Sequence, residues 1–189
     1  MADSKEGFLP KDYTPKSEEF MKFTEGDNEI RILSKPLIGK LWWASPEGVV
    51  RGKNDGQKGD RPYRVDYKTD LPDEVAEACT KEFWMMKVWD YNSHAIKILE
   101  ITQQTIIRAI NELIQSKKWG DPRAYDINIK REGSSMDTKY YVMPSPPSKI
   151  DAPIEIAFKE NKTDLTQVLT NPEEDVFADM KEDKDTKKK

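Results

Sequence analysis

Residues 83–101 read FWMMKVWDYNSHAIKILEI, and this stretch decides the fold. Its aromatic and β-branched residues are typical of strands, and the polar group Asn92-Ser93-His94 in its middle indicates a hairpin turn. A helical pattern follows. Residues 125–131 and 139–143 then form a second pair of strands around a turn at Gly133-Ser134-Ser135. The predicted order is strand, strand, helix, strand, strand.

The helix between the two strand pairs is predicted from one apolar stripe at helical spacing. Thr102 is expected to cap its start, and Trp119-Gly120-Asp121-Pro122 is expected to end it. The stripe consists of Ile106, Ile110, Leu113 and Ile114, with Ile107 beside it.

An earlier strand completes the architecture. Glu29 to Trp43 reads as one long strand with a bulge or bend at Gly39, which a small barrel needs in order to close. The order of elements then matches an OB-type five-stranded β-barrel, with its helix between the third and fourth strands. The chain is therefore predicted to be mainly β.

The rest of the chain divides into an arm, an insertion and a tail. Residues 1–19 are predicted to be a flexible N-terminal arm, and residues 20–170 the folded domain. Within the domain, residues 45–82 form a long basic insertion, either a loop or a small hairpin, with a short helix from Asp73. Residues 171–189 are dominated by charge and are predicted to be a disordered acidic tail.

Two small elements are expected between the fifth strand and the tail. Prolines within residues 144–147 stop the fifth strand. Ile154, Ile156 and Phe158 then alternate as they would in a strand, and Leu165 to Leu169 reads as a short helix.

The composition limits the class of protein. The chain has 189 residues, of which 35% are charged, and no apolar run approaches the ~20 residues of a membrane span. Its one cysteine cannot form an internal disulfide, which favours a reducing compartment such as the cytoplasm. One cysteine and one histidine also exclude a zinc site built from those residue types within one chain. No cofactor is predicted.

The net charge of −4 is unevenly distributed. Residues 151–189 hold 7 basic and 11 acidic residues, which accounts for all of it, so the body of the chain is neutral. Residues 35–68 hold 8 basic and 4 acidic residues. A locally basic body with an acidic tail is consistent with nucleic-acid binding, and chance clustering on a solvated surface is the alternative.

The strand at residues 83–91 carries the first candidate binding residues. Lysine is rarely buried in a small core, so the face with Lys87, Trp89 and Tyr91 is expected to point outwards. Exposed rings beside a cation can stack on bases while the cation holds phosphate, at ~1–3 kcal/mol per stacked base. The alternative is that Trp89 packs beneath the long insertion. The opposite face, which would form the core, consists of Trp84, Met86 and Val88.

Further candidates lie in the insertion and in two other strands. Trp42 and Trp43 are adjacent, so in a strand at most one is core, and the other is expected to stack on bases. Lys130 and Arg131 lie at the end of a strand, where they are expected to bind phosphates. The alternative is that both side chains are simply solvated. The cationic and aromatic candidates of the glycine-rich insertion are Arg51, Lys53, Arg61, Tyr63, Arg64, Tyr67 and Lys68.

Several short motifs point to a known family. Residues 22–33 read KFTEGDNEIRIL, and later runs read WGDP at 119–122, YDINIKREG at 125–133 and YYVMP at 140–144. These stretches resemble the entry strand and later strands of phage-type single-stranded DNA-binding proteins, including the T4-type helix-destabilising group. The resemblance covers roughly residues 20–147. It implies an OB-type core that binds single strands through aromatic and basic residues.

The tail is compared with the same family, whose flexible acidic C-terminus contacts replication and recombination proteins. The resemblance implies such partners for residues 171–189, with Phe177 and Met180 as candidate anchors, and an inert solubilising end is the alternative. Two features depart from the T4-type pattern. The chain lacks the cysteine and histidine ligands of the T4-type zinc element, and it ends Lys187-Lys188-Lys189 where an acidic tip is expected. A zinc requirement is therefore not carried over.

The sequence thus predicts a non-enzymatic protein that binds single-stranded DNA with little sequence preference. It would protect DNA during phage replication, recombination or repair in the bacterial host cytoplasm. An OB-fold module that binds protein in a phage is the first alternative, because the same barrel serves both purposes. A metal-dependent nuclease is the second, since Asp60 and Asp66-Tyr67-Lys68 match a loose acidic, acidic-x-Lys pattern. The basic insertion favours nucleic acid.

Overall fold

The computed structural model describes residues 20–44, 61–71 and 80–169. Within these residues the protein is mainly β, with seven strands and two α-helices. The strands are β1 (Glu29–Ile32), β2 (Leu37–Ala44), β3 (Arg61–Asp66), β4 (Lys81–Asp90), β5 (Ala95–Ile101), β6 (Asp126–Glu132) and β7 (Lys139–Pro144). The helices are α1 (Gln104–Gln115), between β5 and β6, and α2 (Ala152–Glu160), after β7.

Strand β4 organises an antiparallel sheet. One of its edges pairs with β5. Its other edge is shared, because β2 pairs with its first half, with Leu37 opposite Met85, and β1 pairs with its second half, with Ile32 opposite Val88. β3 extends the sheet beyond β2, and β6 and β7 extend it beyond β1. Across the described residues the sheet is open and has seven strands, where five strands in a closed barrel were predicted.

The predicted first strand, Glu29 to Trp43, is in fact two strands placed end to end along β4. The interruption covers residues 33–36. There the Lys87 backbone N–H donates to Ser34 Oγ at 2.9 Å, so the chain stays beside β4 through the break. Gly39, where the bend was expected, lies inside β2. A Cβ at Gly39 would overlap an aromatic ring and a backbone carbonyl, so glycine serves close packing at this position.

Helix α1 packs on the sheet as its apolar stripe predicts. Ile106, Ile107 and Ile110 are buried against the sheet, and Ile114 is 38% exposed at the end of the stripe. The predicted cap is wrong, because the helix begins at Gln104 and the residue before it, not Thr102, occupies the N-cap position without a side-chain hydrogen bond. The core beneath α1 is formed by β-strand residues that include Trp84, Met86 and Val88.

Both faces of β4 are buried over residues 83–86. The face beneath α1 confirms the predicted core. The opposite face is also fully buried at Phe83 and Met85, which pack with Leu41 and Ile98. The residues that pack on this second cluster from the C-terminal segment are Leu165, Val168 and Leu169. The expectation that this face is open is therefore wrong for its first half, because the chain returns across it.

The segment at residues 152–160 is a helix, so the strand predicted there is wrong. Pro153 lies in its first turn, where the missing N–H is not needed and the fixed φ suits a helix. Ile154 is buried whereas Ile156 is 57% exposed, which the alternation of a strand does not allow. Leu165–Val168 forms a 3₁₀ turn, in agreement with the predicted short helical element.

Parts of the predicted insertion are described. β3 lies inside the predicted insertion and pairs with β2, which precedes the insertion. The predicted arm (1–19), most of the helix from Asp73 (72–79) and the tail (171–189) lie outside the described residues, as do residues 45–60. Among the described elements, neither α-helix has the length and apolar character needed to cross a membrane.

Candidate nucleic-acid interface

One face of the sheet, called the outer face, is the side of β1, β4, β6 and β7 that points away from α1. Alternation along the strands decides which side chains lie on it. Along β6, Ile127 and Ile129 are buried beneath α1, so the residues between them point outwards. The outward residues of the β6–β7 pair are Asn128 opposite Met143, Lys130 opposite Tyr141, and Glu132 opposite Lys139.

The outer face of β6 and β7 carries an exposed aromatic and thioether surface beside a cation. Tyr141 is 45% exposed and Met143 is 44% exposed, and together with Lys130 they line a shallow open groove of about 690 Å³. Lys130 Nζ lies 2.6 Å from Glu132 Oε1, and this bond raises the pKa of Lys130. A ring that can stack and a charge that can hold phosphate are therefore adjacent.

The centre of the outer face is held by a polar network. Arg31 on β1 is 1% exposed, and its Nε lies 2.5 Å from Asp126 Oδ1. Its two terminal nitrogens donate to the carbonyl and hydroxyl oxygens of Ser148. The Tyr91 hydroxyl donates to Asp126 at 3.0 Å, and burial together with this bond raises the pKa of Tyr91 to about 12. The network fixes the ring of Tyr91 and the segment after β7 on the sheet.

Trp89 and Lys87 lie on the outer face of β4, as predicted, but in different surroundings. Trp89 is half-buried, between Arg31 on β1 and Ile96 on β5 in the strand register. The Lys87 amine donates to the Asn161 carbonyl at 3.3 Å and lies 5.8 Å from the centre of the Phe158 ring. The segment around the end of α2 therefore covers Lys87 in part.

Two aromatic residues of the β2–β3 hairpin pack on each other. Trp42 and Tyr63 are directly opposite, with ring centres 5.7 Å apart and planes at 16°. Their exposures are 2% and 7%. Trp42 is thus the core member of the tryptophan pair, and the ring of Tyr63, a candidate contact of the insertion, is buried by strand pairing. The side chain of Trp43 lies outside the described part of the chain.

The cations of the hairpin differ in availability. Arg64 forms a two-point interaction with Glu100, at 2.6 Å and 3.3 Å, with both side chains about one-fifth exposed. Tyr67, by contrast, is 52% exposed, and Lys68 Nζ lies 5.5 Å from the centre of its ring. Tyr67 and Lys68 therefore form a second exposed ring and cation, at the end of β3. The side chains of Arg51, Lys53 and Arg61 lie outside the described residues.

Arg131 does not share the outer face with Lys130. It lies on the same side of β6 as Ile129, and its Nη1 donates to the Phe23 carbonyl at 2.8 Å. The adjoining backbone is paired as well, because Gly26 and Arg131 exchange two hydrogen bonds of 2.8 Å. The Arg131 side chain therefore holds the segment before β1, and phosphate binding by Arg131 stays a prediction.

The residues of the nuclease alternative are only partly described. Asp66 Oδ1 accepts a hydrogen bond of 2.9 Å from the Lys68 backbone N–H, which is a local turn contact. Asp60 lies outside the described residues. In the ranges that the structure describes, no group of three or more histidine, cysteine, aspartate or glutamate residues is placed to hold a metal ion.

The sequence did not identify Tyr141, Met143 and Lys139 as site residues. Tyr140 and Tyr141 are adjacent, and the sequence left open which of them faces the core. Which residues of β7 face the core can be inferred from β6 only once the pairing register of the two strands is known. In the structure Val142 lies opposite the buried Ile129. The alternation of apolar and polar residues on β6 could have identified the outward residues of β7. The register between the two strands was not known from the sequence, because the length of the connecting turn was not known.

Comparison with known proteins identifies a distant relative. The chain is 24% identical over 139 residues to a "Probable ssDNA-binding protein" of Escherichia phage T5. The match covers 66% of this chain and 54% of the relative, so the chain spans about half the relative's length. No protein-family profile and no solved structure matches the chain.

Proposed function

We propose that this protein binds single-stranded DNA with little sequence preference, through the outer face of its sheet. The observation that carries the proposal is the exposed pair Tyr141 and Met143 next to Lys130 on β6 and β7. Every base has a flat face that can stack on a ring, and every nucleotide has a phosphate that a lysine can hold. A duplex hides the faces of its bases, so such a surface favours single strands.

The proposed binding site lies on the outer face on either side of Arg31, which is itself buried under the segment after β7. Trp89 and Tyr141 act as stacking platforms at its two ends, and Lys130 and Lys139 hold phosphates. Tyr67 and Lys68 form a separate contact at the end of the β2–β3 hairpin. Four further predicted contacts stay part of the proposed site, although their side chains lie outside the described part of the chain. They are Trp43, Arg51, Lys53 and Arg61.

The phage T5 relative supports the same function, because its name describes a probable ssDNA-binding protein. At 24% identity and half of that protein's length, the support extends to the class of ligand. A role in protecting single strands during phage replication, recombination or repair is part of the proposal. So is binding of replication partners through the tail, with Phe177 and Met180 as anchors.

An OB-type origin of the sheet is also part of the proposal. β1 and β2 lie along one edge of β4 like a single broken strand, and β5 lies along the other edge. α1 connects β5 to β6, which pairs back onto β1. This order of elements supports an OB-type origin, with the β2–β3 hairpin as an extension.

A protein-binding function is the second candidate, and one observation favours it. An apolar cavity of about 330 Å³ lies between α1 and the turn that joins β1 to β2. Ile114 at its rim is 38% exposed, and Trp84 and Met86 form part of its floor. A cavity of this size and character accepts an apolar side chain of a partner. It lies on the α1 side of the sheet, so both functions are compatible.

The proposal is tested by fluorescence anisotropy of labelled oligo-dT, with unlabelled competitors. Single-stranded DNA is expected to compete strongly and duplex DNA of equal length weakly, because stacking requires exposed bases. Affinity is expected to fall steeply as salt rises, since bound lysines release counterions from the phosphates. Equal competition by duplex and single strand, or absence of binding at low salt, contradicts the proposal. RNA as a third competitor measures the preference between sugars.

A further inference from the structure

The turn between β6 and β7 presents a methionine at its tip. Met136 is 100% exposed, the most exposed large apolar residue of the described chain. Its neighbours in the turn are Ser134, Ser135 and Asp137, so it is an isolated apolar group among polar ones. Isolated exposed methionines are common on protein surfaces, and exposure by itself assigns no role.

The backbone that carries Met136 is held in a defined shape. Gly133 has φ +82°, and a Cβ there would lie 2.7 Å from the Asp137 carbonyl oxygen, so the turn requires glycine. Ser135 has φ +52°, a left-handed conformation that is unfavourable for residues other than glycine and asparagine. A turn that adopts this conformation does so because surrounding contacts hold it.

Those contacts are present on both sides of the tip. The Asp137 N–H donates to the Ser134 carbonyl at 3.1 Å, and the Thr138 hydroxyl donates to the Ser135 carbonyl at 2.9 Å. At the base of the turn, the Gly133 N–H donates to Glu25 Oε1 at 3.1 Å. The methionine therefore projects from a braced turn, and its backbone needs little further ordering when the side chain meets a ligand.

The position of the tip connects it to the proposed DNA-binding face. The outward row of β7 runs through Met143, Tyr141 and Lys139, and the turn that bears Met136 directly precedes it in the chain. Lys130 and Lys139 border the same end of the face. A single strand bound along this row passes towards the tip.

We propose that Met136 is a wedge that separates the strands where single-stranded DNA meets a duplex. The inference rests on the proposed function, because the lysines and Tyr141 must first hold the single strand beside the tip. An unbranched thioether side chain adapts its shape to a flat apolar surface, and apolar side chains are known to enter between base steps. Met136 then covers the face of the last base pair as the next pair opens.

A contact with a protein is the weaker reading of the same feature. A specific protein interface buries on the order of 800 Å² on each partner, far more than one methionine offers. The flanking serines and aspartate add no apolar surface beside it. One exposed apolar side chain on a rigid backbone is enough to contact the face of a single base.

The test measures duplex opening separately from single-strand binding. The substrate is a DNA hairpin with a single-stranded oligo-dT tail and a fluorophore and quencher on its stem, and tail affinity is measured with labelled oligo-dT alone. Met136→Ser is expected to keep the oligo-dT affinity and to reduce stem opening at saturating protein by about fivefold or more, the size of one lost stacking contact. Met136→Leu is expected to retain opening, because it keeps an apolar group.

Two variants of the same turn serve as controls. Ser134→Ala is expected to behave as the parent protein, because that side chain makes no capping hydrogen bond. Gly133→Val is expected to reduce opening although Met136 is intact, since it displaces the turn.

The outcomes separate the two proposals. If Met136→Ser opens the stem as well as the parent protein, or loses oligo-dT affinity in the same proportion as opening, the wedge is contradicted while single-strand binding stands. If the parent protein binds oligo-dT but does not open the tailed stem, the wedge is also contradicted. If the parent protein does not bind oligo-dT, the proposed function itself fails.

Discussion

Lys130 of β6 and Tyr141 of β7 lie directly opposite each other, with both side chains on the outer face of the sheet. The adjacent pair on that face sets Met143 opposite Asn128. Cross-strand neighbours lie about 5 Å apart, so this ring and this amine are adjacent on the face. Most of the predictions below test whether this face binds DNA.

Tyr141→Ala is expected to weaken oligo-dT binding by about 1–3 kcal/mol, because it removes one stacking platform. Its melting temperature is expected to change little, since the ring is 45% exposed on the last strand of the described sheet. Tyr140→Ala is the matched control. That ring packs on Phe23, with centres 5.6 Å apart, so its loss lowers stability and leaves binding by the folded protein intact. Equal binding losses in both variants contradict the assignment.

Trp89→Ala and Trp42→Ala are expected to have opposite effects. Trp89 is half-buried on the outer face, so its removal weakens oligo-dT binding by roughly 1–3 kcal/mol. Trp42 is 2% exposed, so its removal costs ~3–5 kcal/mol of unfolding free energy. Denaturant unfolding and anisotropy titrations of both variants provide the comparison. A large stability loss with unchanged affinity for Trp89→Ala assigns that ring to the core.

Lys139→Gln is expected to reduce the slope of log affinity against log salt by about 0.7, the value for one lost phosphate contact on a single strand. Lys130→Gln is expected to act similarly. Lys117→Gln, at an exposed residue that follows α1 on the other side of the sheet, serves as the control and leaves the slope unchanged. Titrations at four or more salt concentrations measure the slopes. If Lys117→Gln changes the slope as much as Lys139→Gln does, the lysines of the outer face are not specific phosphate contacts and the proposed site is contradicted.

Tyr91 provides a test of the polar network at alkaline pH. The folded state raises its pKa from 10.0 to about 12, through burial and then the bond to Asp126. The folded protein therefore holds the phenol proton more tightly than the unfolded chain does. This contribution to stability is complete below pH 10 and is lost as pH rises towards 12. Unfolding free energies across this range are expected to fall less for Tyr91→Phe than for the parent protein, and parallel curves contradict the network.

The local elements of this fold were largely readable from the sequence. The strands at residues 83–91, 95–101, 125–131 and 139–143 and the helix between them are confirmed to within a few residues, because each has a strong local pattern. The helix at 152–160 was missed, since an apolar residue at every second position fits one side of a short helix poorly but fits a strand well.

The site was less predictable because burial depends on distant partners. Lys87 correctly marked the outer face of β4, yet Phe83 and Met85 on that face are covered by residues 165–169, which no local pattern could place there. Tyr63 looked exposed in a glycine-rich loop until its pairing with Trp42 was known.

Photochemical crosslinking shows which face of the sheet contacts single-stranded DNA. Single-stranded DNA that contains 5-iododeoxyuridine is irradiated in complex with the full chain, and the crosslinked residues are identified by mass spectrometry. Crosslinks are expected at Trp89, Tyr141 or Met143, on the outer face of the sheet. Crosslinks found only on the α1 side, at residues 104–123, would contradict the proposed site.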